Sequence, residues 1–431
     1  MEIKMEIKDP IHGSLELTPP EVAILDSPAF QRLRSIKQLG FGEFSYPGAT
    51  HNRYLHSLGA SHVAGDAFDA IFRGFQFKTQ SARWRFRQAL RLGALLHDIG
   101  HGPLSHTTEE VMPPLKELGL KAYAGPENRR ANHEDYTIKF ITDSPLTKTL
   151  REKFPDMEPL HIAALVDKTI EVKDDFFMDG DLNFRTILCQ LVSSELDVDR
   201  MDYLLRDSYF CGTNYGKFEI NWLVANLVPH VVDGRVHLAL NRRALYTFDD
   251  FLISRHHMYL MVYFHHKSIV YDEMLEQYLT SKECTFRLPA DINEYLKFND
   301  YKLYTHLAES KNIWARRISE RRPFRVLFEH HATGESDRVE KMQNALKETG
   351  IESIFAGSEA RLSKYHSMME SGANRHQIFV VDQYDRLSKP YPLESSTEIF
   401  QKYEKARRID RLYVAPEDYT RAEEIMLKKR L

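Results

Sequence analysis

His97 and Asp98 directly follow the run ALRLGALL. A helix of that sequence has no polar residue after Arg91, so it buries its end. A histidine and an aspartate side by side in such a place must be paired, hydrogen-bonded or metal-bound. A second group lies in LDVDRMDYLLRD. At helical spacing Asp199, Tyr203 and Asp207 share one face, while Asp197 and Asp202 point elsewhere, to solvent or to helix contacts. A third is His56 in HNRYLHSLG, with Arg53 one turn earlier on the same face and His51 and His62 less well placed. Together His56, His97, Asp98 and Asp199 form a mixed nitrogen and oxygen set for one divalent metal ion. The carboxylates balance the charge, and positions remain for water and substrate. Mn, Fe, Mg or Zn suits such a set. Its chemistry is to lower the pKa of a bound water and to neutralise phosphate charge.

The chain that positions these groups has 431 residues, 42% hydrophobic and 28% charged, a soluble composition of two or three domains. Lys plus Arg is 58 against 62 for Asp plus Glu, a net charge of -4, so constitutive nucleic-acid binding is not expected. Three cysteines without a CxxC spacing exclude a thiolate metal site and point to a reducing compartment. The charged start, MEIKMEIKDP, predicts no secretory leader, and apolar runs such as YLMVYF are too short for a membrane span. A cytoplasmic location follows as an expectation.

The periodicity predicts a short strand over 13–18, a helix after Pro19, and another over AFQRLRSIKQL. Further helices are expected from Asn52 to about Phe75 and over 82–97, 133–142, 159–172, 184–207 and 246–279. The fold class expected is mainly α, with a helical domain over 1–322 and a small α+β unit over 323–431. In that unit FRVLFEH, ESIFAG, HQIFVVDQ and DRLYVAP read as strands, and SDRVEKMQNALKETG and SSTEIFQKYEKA as helices.

The order His56, His97-Asp98, Asp199 resembles the H…HD…D signature of the HD superfamily of metal-dependent phosphohydrolases. KDPIHG, FQRLRSIKQLG, YPGATHNRYLHSLG, LLHDIGHGPLSH and LDVDRMDYLLRDSYFCGTNYG resemble its deoxynucleotide triphosphohydrolase branch, including the catalytic core of the animal enzyme with a sterile-alpha-motif domain. The likeness is strong over 7–216. It implies a helical HD core and the four metal ligands above. It implies that His101 and His106 approach the α-phosphate with His133, oriented by Glu109. It implies that Arg53 and Arg200 hold phosphates, that Tyr203 and Asp207 face the sugar, and that Gln38 contacts sugar or base. In SRHHMYLMVYFHHK the likeness is loose. Leu260 and Phe264 stand where the animal enzyme has a histidine and a tyrosine, and Arg255 or His256 takes the place of an arginine.

Asp26, Gln31 and Arg34 match positions that bind an activating guanine nucleotide between subunits in relatives, which implies a homo-oligomer, a tetramer. As ordinary chemistry, Asp26 is also a helix cap and Arg34 a surface residue. The function expected is hydrolysis of a deoxynucleoside triphosphate (dNTP) to deoxynucleoside and inorganic triphosphate. The alternatives are an HD phosphohydrolase or phosphodiesterase acting on another nucleotide, or a non-catalytic nucleotide-gated oligomer or nucleic-acid binder.

Overall fold

The computed structural model describes residues 5–122, 128–332, 337–360, 377–385, 387–397, 399 and 407–429. The architecture is mainly α, with a few small sheets. Its centre is the helix Arg53–Ile71, capped by the Asn52 side chain and buried along most of its length. Gln80–Leu96 and Val198–Phe210 pack against it. The contact with the second of these needs a glycine: a Cβ at Gly59 would lie 1.9 Å from Asp202 Oδ1.

The chain reaches this centre through an antiparallel hairpin, Met5–Asp9 with Gly13–Leu17. Thr18 and Glu21 then form a reciprocal cap for Pro19–Leu25. The helix expected over AFQRLRSIKQL stops early. Pro28–Gln31 tightens into a 3₁₀ turn over Arg32–Ser35, and Ile36 is extended. The cause is tertiary. Arg32 is buried and donates to the carbonyls of Phe298 at 3.1 Å, Ile99 at 3.2 Å and His101 at 2.7 Å. Three carbonyl contacts on one guanidinium outweigh the propensity of four or five residues.

Two long expected helices are each broken. The first, 184–207, becomes Arg185–Val192 and Val198–Phe210, because Asp197 turns its carboxylate onto the backbone N–H groups of Ser194 and Arg200. The second, 246–279, becomes Leu245–Met258, a π turn at Tyr259–Tyr263, and His266–Thr280. The helix expected over 159–172 ends at Val166.

The stretch to Arg322 also holds strands that helical periodicity does not predict. Leu227–Val232 and Arg235–Asn241 form a hairpin whose two-residue turn, Asp233-Gly234, has φ of 49° and 72°. Asp-Gly is the usual pair for such a turn. Arg235–Asn241 also pairs in parallel with Phe379–Val381. Near the C-terminus Arg407–Val414 runs antiparallel between Arg325–Ala332 and Ser353–Ala360. Helices Asp337–Glu348 and Tyr419–Lys429 cover this sheet and bury a small cluster around Leu346, Leu412 and Met426. The helix expected over 395–406 lies largely outside the described residues.

The charged anchor of the core is Arg206, fully buried, which donates to Asp202 at 2.8 Å and to Asp9 at 2.8 Å. Arg206→Met should therefore leave two buried carboxylates without a cation and cost about 3–5 kcal/mol. Arg316→Ala, which breaks an exposed i,i+4 pair with Glu320, should cost at most about 1 kcal/mol. Urea denaturation of both variants checks the contrast.

Candidate active site

Helices Arg53–Ile71, Gln80–Leu96 and Val198–Phe210 converge on one point. His56 Nε2 lies 3.3 Å from His97 Nε2, 3.0 Å from Asp199 Oδ1 and 3.7 Å from Asp98 Oδ2. His97 Nε2 is 3.4 Å from Asp98 Oδ1 and 3.5 Å from Asp199 Oδ1. The other nitrogen of each ring is already committed. His56 Nδ1 donates to Asp202 at 2.8 Å, and His97 Nδ1 donates to the Ala94 carbonyl at 2.7 Å. Each imidazole is therefore fixed in the tautomer that turns a lone pair on Nε2 toward the other. Two lone pairs that close repel unless a cation or proton lies between them. The donor set fits a divalent metal, and the orienting partners are those that metal-bound imidazoles use.

The electrostatics agree. Burial opposes the charged forms of all these groups, yet Asp199 and Asp202 hold the His56 imidazole up to about 10. Against the same burial, His56 and His97 hold Asp199 well below its usual range, and Arg53 and His97 do so for Asp98. The cluster thus carries carboxylates that demand a positive partner.

Of the two places expected for Asp202, solvent or a helix contact, the structure shows the helix contact. Asp202 is fully buried and accepts from His12 at 2.7 Å, His56 at 2.8 Å and Arg206. The readable signal was its i,i+4 spacing to Arg206. Asp197 is likewise buried, as a helix cap paired with Arg200.

The second histidine group sits in the turns after Asp98. His101 stacks on His133 with ring centroids 3.9 Å apart, and His106 lies edge-on to both at 5.0 and 4.9 Å. Glu109 accepts from His133 at 2.5 Å and from His106 at 3.1 Å. Burial, with Arg53 beside it, pushes the His101 imidazole well below its ordinary value, so it stays neutral. Between these histidines Leu104 and Ser105 both have positive φ, 51° and 62°. Such backbone persists only where its surroundings hold it. Here the Leu104 N–H donates to Asp300 at 2.8 Å, and Ser105 Oγ accepts from Arg53 at 2.8 Å.

Both groups open into one cleft of about 610 Å³. Gln38, Arg53, Arg200, Tyr203, Asp207 and Arg255 also line it. Arg53 pairs with Asp98 and Arg200 with Asp197. Asp207 is buried and accepts from His51 at 2.7 Å and from the Tyr263 hydroxyl at 2.8 Å, partners the sequence did not reveal. The expected places of Leu260 and Phe264 are corrected by one residue. Tyr259, one helical turn beyond Arg255 on the same face, and Tyr263, at the end of the π turn, line the cleft instead. In the same register Arg255, rather than His256, reaches the cleft.

Asp26, Gln31 and Arg34 lie together on the surface. Asp26 follows the Pro19–Leu25 helix as its C-cap. The Gln31 amide donates to Leu25 at 2.8 Å and accepts from Arg34 at 2.8 Å. The Arg34 guanidinium lies 3.6 Å from the centre of the Tyr54 ring.

Residues 53–206 match the HD domain and residues 223–358 the HD associated region. The chain belongs to the HD superfamily. It is 33% identical over 265 residues to an uncharacterised protein of Mycoplasma pneumoniae, covering 61% of this chain and 56% of that one. It is 30% identical over 280 residues to human deoxynucleoside triphosphate triphosphohydrolase SAMHD1, covering 62% and 43%. A hypothetical protein of known structure from Aquifex aeolicus superposes with a TM-score of 0.75 at 25% identity, covering 98% of this chain and all of that one. The HD chain spans about half the length of the curated relatives it matches. No described helix is long and apolar enough to cross a membrane.

A test of the orienting bond follows. Asp202→Ala should weaken metal binding by about 10–100-fold although no donor atom to the metal is removed. Competition with a chelator, read by elemental analysis against wild type, measures it.

Proposed function

We propose that this HD protein is a metal-dependent dNTP triphosphohydrolase, producing a deoxynucleoside and inorganic triphosphate. The observation that carries the reading is the pair of Nε2 atoms 3.3 Å apart, flanked by Asp98 and Asp199 and opening into a cleft with three arginines. His56, His97, Asp98 and Asp199 would hold the metal, which supplies Lewis-acid polarisation of phosphate and an activated water. Similarity to SAMHD1 supports dNTPs as the substrate class.

The chain's own groups divide the rest of the work. Arg53, Arg200 and Arg255 bind phosphate oxygens and stabilise the charge that builds as water adds to the α-phosphorus. The bond from that phosphorus to the 5′ oxygen breaks, and the leaving oxygen takes a proton. His101 is kept neutral by its surroundings and is better suited to orienting than to donating. His106, exposed and bonded to Glu109, is the proton donor, with His133 held beside it. Tyr203, edge-on to the Tyr263 ring whose hydroxyl donates to Asp207, forms the wall for the sugar.

The surface group Asp26, Gln31 and Arg34 belongs to the same reading as a guanine-nucleotide site at a contact between subunits, the protein being a homo-oligomer. An amide and a carboxylate match a guanine edge, and arginine matches phosphate or a stacked base. Binding there would favour the assembled form by linkage.

Purified protein incubated with Mn and each dNTP should release inorganic triphosphate, resolved by chromatography. Release of monophosphate and pyrophosphate, or of nothing, overturns the reading. His97→Ala and Asp199→Ala should lose bound metal and turnover together. His106→Ala should keep its metal yet turn over about 10²–10⁴-fold more slowly. Added dGTP should raise both the light-scattering mass and the rate on a second dNTP. A mass and rate indifferent to dGTP would leave Asp26, Gln31 and Arg34 as capping and surface residues.

A further inference from the structure

One wall of the cleft has buried polar atoms for which the phosphate chemistry has no use. The helix His266–Thr280 packs against two segments, Gly40–Phe44 and Ser105–Val111. From it Ser268 and Asp272, four residues apart and so on one face, line the cleft together with Gln38, Leu39, Gly40, Gly42 and Thr107. Ser268 Oγ and Gln38 Oε1 are buried without a hydrogen-bond partner among the described residues. The Asp272 carboxylate accepts one bond, from Thr107 Oγ1 at 3.0 Å. Buried polar atoms are almost always paired, so two unpaired ones within a cleft wall, beside a cleft-lining carboxylate with spare acceptor capacity, mark a wall whose bonding a ligand can complete.

We propose that this wall reads the nucleobase, and that Asp272 selects a base edge rich in N–H donors, guanine foremost. The proposal rests on the nucleotide reading of the same cleft. The unpaired atoms are weighted toward acceptors: the Gln38 amide oxygen and the free side of the Asp272 carboxylate. Guanine offers N1–H and N2–H₂ side by side to the Asp272 carboxylate. Thymine offers one N–H between two carbonyl oxygens, which would face the acceptors with their lone pairs. Adenine and cytosine, each with one amino group beside a ring nitrogen acceptor, are intermediate. Burial alone pushes the Asp272 carboxyl up to about 7, since Thr107 is its single bonded neighbour. N–H donors from a base edge would hold it ionised. No metal-cluster residue touches it among the described residues.

The test compares kcat/KM for dGTP and dTTP in wild type and in Asp272→Asn, which keeps the shape but turns one acceptor into a donor. The wild type should prefer dGTP, and the ratio of the two should fall about 10–100-fold in the variant, the usual size of one lost bidentate base contact. Circular dichroism and metal content confirm that the variant is folded. If it is not, Ser268→Ala should move the same ratio in the same direction. A ratio that stays constant, whether absolute rates fall or hold, assigns Asp272 a structural role and overturns the proposal. Calorimetric binding of the two nucleotides separates this from a failure of the hydrolase reading. Tighter dGTP binding that is lost in Asp272→Asn, with no triphosphate released from any dNTP, keeps the subsite and removes the reaction.

Discussion

The Asp202 carboxylate is the interaction on which the site depends. It receives hydrogen bonds from His12, His56 and, twice, the Arg206 guanidinium, and has no exposed surface. Four charge-assisted or imidazole bonds on one buried carboxylate fix three separate parts of the chain: the N-terminal hairpin, the central helix and the Val198–Phe210 helix. Arg206 extends the link to Asp9, whose carboxylate also accepts from the backbone at Ile11 and His12. The same carboxylate sets which nitrogen of His56 keeps its lone pair. A fold-stabilising network and a ligand-orienting bond are thus one object, and the close approach at Gly59 is the steric condition for it.

Around this fixed point the cleft separates two kinds of histidine by environment. His56 lies among carboxylates that favour positive charge at its Nε2, a proton or a metal in its place. His101 lies beside Arg53 and under His133 and is driven toward the neutral form. Asp98 stands between the two groups, paired to Arg53 on one side and near His97 on the other. The left-handed backbone at Leu104 and Ser105 brings His101 and His106 to the same rim, with bonds from Asp300 and Arg53 holding it there.

The helical class was legible because long amphipathic and apolar runs leave few alternatives. The H…HD…D residues were legible as a set through their order and flanking strings, which resemble the family signature, since locally His97-Asp98 also reads as a helix cap and His56 as a packed histidine. What the sequence concealed has a common cause, partners distant along the chain. Asp202 looks like a solvent residue until His12 is folded over it. Arg32 reads as helix surface until three carbonyls from residues 99, 101 and 298 surround it. The hairpin at 227–241 had a local signal in Asp233-Gly234, but a strand of mixed character is easily read as helix when its neighbours are helical. The breaks at Asp197 and at Tyr259–Tyr263 rest on a cap and on a π turn, neither of which periodicity registers.

The π turn bears on how such a cleft can change over time. An insertion in an ordinary helix rotates everything beyond it by about 100° and would scramble the packing downstream. Here the π turn and the extended His265 after it separate the two helices, so a change of length there need not rotate one with the other. Arg255 before it and Ser268 and Asp272 after it keep their faces toward the cleft, while Met258, Val262 and Tyr271 stay in the core. Only the side chains within the turn, where Tyr259 and Tyr263 now face the cleft, would trade places. A residue gained or lost there would exchange the aromatic lining of the cleft with little disturbance to the scaffold.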